Sequence, residues 1–220
     1  MYDYSFWDLW DQIIVPGLID TLIMLLGSAI TCGLVGFVVA LVLVTTDPRG
    51  LRPNRAVYET TSTIVGLLWS LPFIILAISI IPLTRLVVGT SIGVWAAVFA
   101  ITFAGSPFIA RLLESAFKEV NPSLIEAARS LGASDWQITF RVIVPEAVPA
   151  MVSQMTLGVI TLLGFTTVAG TIGAGGLGAV ALTYGYQNFN DQVMYGTALL
   201  LVIIVVIIQL AGNALYRKIK

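Results

Sequence analysis

Charge is nearly absent from the interior of this chain, and its absence is organised. Five stretches, 21–46, 60–84, 86–110, 147–190 and 192–216, contain no Asp, Glu, Lys or Arg. A helix crossing the hydrocarbon of a bilayer needs about 20 mostly apolar residues. Four of the runs suit one such helix each. The run 147–190 is too long for one and too short for two with a proper loop, so five spans is the economical count. With 58% hydrophobic and 10% charged residues and a mean hydropathy of +0.96, the chain has too little charge to cover a soluble surface, where about a quarter of residues are charged.

Lys and Arg set the orientation. With the C-terminus inside, the inner segments hold Arg49, Arg52, Arg55, Arg111, Lys118, Arg129, Arg141, Arg217, Lys218 and Lys220, which leaves only Arg85 outside. This is the positive-inside bias. Asp3, Asp8, Asp11 and Asp20 with no base place the N-terminus outside, and an odd number of spans agrees. The first residues lack the basic region of a cleavable signal. Phe6, Leu9, Trp10, Ile13 and Ile14 recur at helical spacing with Tyr2, Tyr4 and Trp7 alongside, so 1–19 is expected to lie at the outer interface, where amphipathic aromatics concentrate; an extension of the first span is the alternative. Residues 1–220 thus read as a single transmembrane domain. The one cysteine, Cys32, falls mid-span beside Gly33 and reads as a small packing residue.

The missing chemistry excludes several functions. Proton-coupled carriers keep ionisable groups at membrane depth; the neutral runs hold none, and the chain has no histidine. Coupling to an ion gradient through carbonyls and hydroxyls stays open. Neither a catalytic constellation nor a metal cluster can be assembled, so no enzyme activity is expected. Gly173, Gly175 and Gly178 satisfy a G-x-G-x-x-G string, with Asp191 beyond. That fingerprint requires a strand before and a helix after it in a soluble βαβ unit. Inside a long uncharged run, Gly173, Gly175, Gly176 and Gly178 instead suit close helix packing, a bend or an outer gate.

Between the third and fourth runs lies a polar island, about 121–145. Asn121 is a good N-cap with Pro122 at the first helical position. Gly132 is placed to end this helix in a left-handed turn. Ser134 and Gln137 then form a capping-box pattern for a second helix, which Pro145 is expected to end. A DNA-binding helix-turn-helix is disfavoured, because Glu126, Arg129, Asp135 and Arg141 sum to zero charge and phosphate binding needs a basic face. Leu124, Ile125, Ala127 and Ala128 offer a smooth apolar surface suited to a groove on a protein partner; a helix pair that merely rests on the membrane surface is the alternative.

These residues resemble a known motif. Glu126-Ala127-Ala128, three residues, Gly132, nine residues, then Val142-Ile143-Val144-Pro145 matches the EAA pattern E-A-A-x3-G-x9-I-x-L-P of ABC importer permeases, with Val142 and Val144 as conservative departures. Residues 70–93, 106–116 and 173–190 are further similar to the D/L-methionine importer permease family. The resemblance implies an all-α type I ABC importer permease fold, with five transmembrane helices, N-out and C-in, and a cytoplasmic coupling helix between spans 3 and 4. It implies a homodimer in the bacterial cytoplasmic (inner) membrane, in contact with membrane lipid. A cytoplasmic ABC ATPase dimer would bind the ATP and Mg, an external substrate-binding lipoprotein would deliver the cargo, and no cofactor would sit in this chain. Glu126, Ala127, Ala128, Gly132 and Pro145 carry over as the ATPase-coupling residues.

Pathway candidates come from polar and helix-breaking residues in the spans. Pro72 is expected to bend the second span near Ser70, and Ser106 with Pro107 the third. Ser153, Thr156 and Thr167 fall on one face of the fourth. Hydroxyls in spans more often bond their own backbone or a neighbouring helix than a substrate. A different solute, such as an osmoprotectant or another amino acid, and a stand-alone carrier or channel are the remaining alternatives.

Overall fold

A computed structural model of the chain describes residues 9–219. Helix accounts for nearly all of them, and no strand occurs among the described residues. In chain order the helices are α1 (Trp10–Thr46), α2 (Arg55–Ser70), α3 (Phe73–Ser79), α4 (Ile81–Val88), α5 (Val94–Lys118) and α6 (Pro122–Ser130). They continue with α7 (Asp135–Ala174), α8 (Gly176–Val180), which runs on in wide turns over Ala181–Gln187, and α9 (Asp191–Ile219). Four of these, α1, α5, α7 and α9, are long and apolar enough to cross a membrane, and α2 with α3 makes a fifth crossing if the bent pair is one span.

The second span is broken where the sequence predicts a bend. Pro72 lacks an N–H and pushes the preceding residue out of the helical region. Helix stops at Ser70 and restarts at Phe73, with a bend of 104° and Pro72 at φ −55°, ψ 133°. The third span begins later than its neutral run, because Ile81–Val88 forms a separate helix that ends at Gly89 in the left-handed region (φ 85°). Its last turns therefore carry Arg111, Glu114 and Lys118, and it continues through Pro107 as one helix. The predicted outer segment 1–19 lies partly outside the described residues; Trp10–Ile19 continues α1 without a break.

Pro145 does not end a helix, contrary to expectation. Residues Thr139–Ile143 are wound as a π-turn, with the Val144 amide bonded to the Thr139 carbonyl. This wider turn opens the backbone just ahead of the proline ring, relieving the clash that a proline makes inside a tight α-turn. The helix that begins at Asp135 therefore passes through Pro145 into the fourth span.

By packing, the chain forms two compact units. The first comprises 9–32, 71–105 and 159–208. Met24, Ile101, Leu162 and Leu177 are wholly buried in it. Phe73 stacks on Phe165 with centroids 4.7 Å apart, and the Thr31 and Thr102 hydroxyls join α1 to α5 at 2.5 Å. The second comprises 33–70, 106–158 and 209–219. Leu43, Ile109, Leu113 and Ile138 form its core, with Gly36 and Gly158 both packed directly on Ile109. Close approach through small residues is how helices associate in lipid. Of the described basic residues, the second unit holds nine and the first holds Arg85 alone.

Apolar side chains remain uncovered where a soluble protein would be polar. On α1, Leu22, Leu26, Ile30, Leu34 and Val38 recur every fourth residue and are exposed, as are Leu199, Val202, Ile203, Val206 and Leu210 on α9. Stripes of this length demand a bilayer or another apolar helix.

Candidate coupling site

Helix α6 is built entirely by local rules. The Asn121 side chain accepts a hydrogen bond from the Ser123 amide at 3.0 Å, and Pro122 opens the helix. At the far end the Gly132 amide donates to the Arg129 carbonyl and the Ala133 amide to the Ala128 carbonyl. This is a Schellman turn, and it needs a left-handed residue at its hinge; Gly132 supplies it at φ 79°. The capping box follows as predicted, with the Ser134 amide donating to Gln137 Oε1 at 2.9 Å and the Gln137 amide to Ser134 Oγ at 3.4 Å.

What α6 lacks is a core. It buries no residue in this chain. Glu126 and Ala127 are exposed and Ala128 is half-buried. Leu131, beside the glycine hinge, is 89% exposed and Trp136 is 70% exposed, with the Trp136 ring leaning on Phe140 at 4.1 Å. An isolated helix this short is marginal in water, so an uncovered one flanked by exposed apolar residues is shaped to meet a partner.

Around α6 lies a set of ion pairs on the base-rich unit. Arg52 Nε donates to Asp135 Oδ2 at 2.7 Å, and Arg129 approaches the other oxygen of Asp135 at 3.9 Å. Lys118 Nζ bridges Asp47 at 3.0 Å and Glu114 at 2.8 Å, and lies over the Tyr58 ring. Glu114 is buried and also accepts from Arg111 at 2.8 Å; Arg111 in turn donates to the Ser62 carbonyl and hydroxyl at 2.9 and 2.7 Å. Burial raises the Asp47 carboxyl, but hydrogen bonds from the Arg49 amide and the Lys118 ammonium outweigh it and hold the group below its ordinary value. Its pairing is thus fully present above the ordinary carboxylate range and is lost only as pH falls through the lowered value. The basic residues here are visible in the sequence, but the network they form is not. The spacing of Arg111, Glu114 and Lys118 at i, i+3 and i+7 was its one visible signal.

Three of the predicted pathway hydroxyls bond their own backbone. Ser70 donates to the Leu67 carbonyl at 2.8 Å, Thr156 to Val152 at 2.8 Å and Thr167 to Leu163 at 3.2 Å, each within its own helix. Ser106 is buried and Ser153 exposed. In the first unit the glycine-rich segment makes a sharp turn, with Gly173, Gly175 and Gly176 at positive φ. Beyond it Gly178 packs on the Thr167 backbone so closely that a side chain has no room. The Thr21 hydroxyl accepts from the Leu177 amide at 2.8 Å, and Asp20 lies against Gly175. No strand precedes the glycines, so the context of a dinucleotide fingerprint is absent. A cavity of about 40 Å³ in this unit is lined by Ala77, Thr84, Ser91, Ala96, Ala100 and Ala169 among others. None of the predicted pathway residues lines it.

The chain is thus a helical membrane-spanning protein that presents an uncovered, capped helix between its third and fourth spans. Residues 36–220 match the family described as binding-protein-dependent transport system inner membrane component, and the chain belongs to that family. It is 41% identical over 191 residues to the probable D-methionine transport system permease protein MetI of Vibrio cholerae, covering 85% of each chain. To the methionine import system permease protein MetP of Bacillus subtilis it is 42% identical over 168 residues, covering 76% of each. Among solved structures, a chain of the MetNI methionine ABC transporter in an inward-facing conformation superposes with a TM-score of 0.95 at 41% identity, over 99% of this chain and 100% of that one. The type I importer permease fold expected from the sequence is therefore the fold observed.

Proposed function

We propose that this chain is the permease subunit of an ATP-driven importer for methionine or a close analogue. The observation that carries the reading is the superposition on a MetNI chain across essentially the whole length at 41% identity. The uncovered α6 adds physical support. In this reading two copies enclose the pathway about a two-fold axis, and a separate ATPase dimer receives α6 of each copy on the cytoplasmic side. That dimer binds ATP and Mg and carries out hydrolysis, so the permease contributes no catalytic residue. Closure of the ATPases pulls the coupling helices together and rocks the two copies between inward- and outward-facing states. A substrate-binding lipoprotein delivers the cargo from outside.

Selectivity resides in that binding protein. The hydroxyls of Ser70, Thr156 and Thr167 are already engaged by their own helices, and the neutral runs hold no charge to pair with an ammonium or a carboxylate. A high-affinity amino-acid site would want both. The test is competition in proteoliposomes holding permease, ATPase and binding protein, with ATP inside. Unlabelled methionine should suppress uptake of labelled methionine far better than glycine betaine does. Preferred uptake of betaine or of a basic amino acid would keep the importer and overturn the substrate.

A further inference from the structure

We propose that the loop 47–54 is a brace that fixes both ends of the coupling helix, Asp47 holding its entry through Lys118 and Arg52 its exit through Asp135. The proposal rests on the coupling role assigned to α6 above. Lys118 is the last residue of α5 and Asp135 the first of the next helix beyond the Gly132 turn, so the two ion pairs bracket α6. Both partners come from one loop, at 3.0 Å and 2.7 Å. Arg129, near the end of α6, adds a third tie by donating to the Leu51 carbonyl at 3.5 Å.

The loop is rigid enough to serve. The Gly50 amide donates to the Asp47 carbonyl at 2.7 Å, Arg52 to Thr45 at 2.9 Å and Asn54 to Thr46 at 3.0 Å, which folds the loop back on the end of α1. Gly50 is so close that a Cβ would lie 2.5 Å from the Val44 carbonyl oxygen and 2.7 Å from that of Thr45. On the entry side, buried Glu114 pairs with Lys118 and Arg111, and Arg111 reaches Ser62 of α2. Since α6 itself buries nothing, its direction relative to the spans is set at its two ends. Without the ties, a force on α6 would be absorbed by turning about the Gly132 hinge. With them it reaches the ends of α1, α2 and α5 together. The Arg52–Asp135 pair is largely exposed and the Asp47–Lys118 pair partly so, and pairs of this kind are weak alone, so the effect belongs to the two acting jointly.

The test uses the assembled transporter. Asp47→Asn with Arg52→Gln should bind the ATPase in normal amount and hydrolyse ATP within about twofold of wild type, while methionine uptake falls about fivefold, the low end of a coupling energy between sites. Solute moved per ATP therefore drops, a ratio that simple loss of folded protein does not change. Arg52→Lys, which keeps the charge, should recover most of the uptake. A second arm places cysteines at Arg52 and Asp135 on a Cys32→Ser background. Uptake should be reduced before, and restored after, the pair is joined by a short bifunctional thiosulfonate. Normal uptake in the double variant overturns the brace, as does loss of uptake on cross-linking, which would mean that loop and helix must part. Loss of bound ATPase along with uptake also overturns it, by assigning the residues to docking. If the wild-type assembly neither binds ATPase nor imports methionine, the underlying function fails and takes the brace with it.

Discussion

In the proposed coupling Gly132 and Glu126 have different parts, and their variants separate local geometry from recognition. Gly132 sits at φ 79° with open space around it, so a side chain there meets no neighbour and suffers only the left-handed backbone penalty, about 1–2 kcal/mol. Gly132→Asp is therefore expected to insert into the membrane at wild-type levels yet misdirect α6. Glu126 is exposed and makes no core contact, so Glu126→Lys leaves the fold alone and reverses a charge on the surface that the proposed coupling presents to the ATPase. A like-charge contact at an interface costs several kcal/mol, and uptake should fall more than about tenfold in both variants. Membrane-fraction blots and labelled-methionine uptake check the two halves of this expectation. Normal uptake in both would remove α6 from the coupling role.

Among elements, those encoded over a few residues were readable in advance and those assembled from distant residues were not. The Asn121 cap, the Gly132 turn and the Ser134–Gln137 box each involve neighbours in sequence, and each formed as written. The break at Pro72 followed from one missing N–H. Pro145 misled because the same rule applies only to a tight α-turn, and no residue type announces the π-turn at Thr139–Ile143 that accommodates it. The tie from Asp47 to Lys118 joins residues far apart in the chain, which only the packing of α1, α2 and α5 brings together. The hydroxyls of Ser70, Thr156 and Thr167 bond their own helices, the commoner outcome expected for hydroxyls in spans. Orientation of the elements is testable by single cysteines on a Cys32→Ser background. Position 54, between α1 and α2, should resist an impermeant maleimide applied to intact cells, and position 188, between α8 and α9, should react. The reverse labelling pattern would invert the topology read from the basic residues.

At the scale of the whole molecule, the central claim is that this chain is moved rather than self-moving. Its five neutral runs hold no Asp, Glu, Lys or Arg and the chain no histidine, its uncovered stripes on α1 and α9 call for lipid or a second copy, and α6, which buries no residue, is left for a partner in the proposed reading. The most direct measurement is accumulation of labelled methionine in proteoliposomes under two regimes. In the first the chain is alone, with proton and sodium gradients imposed; in the second it is joined by its ATPase and binding protein, with ATP inside. Uptake above the equilibrium level should appear only in the second regime and vanish when ATP is replaced by a non-hydrolysable analogue. Accumulation by the chain alone, driven by either gradient, would contradict the account.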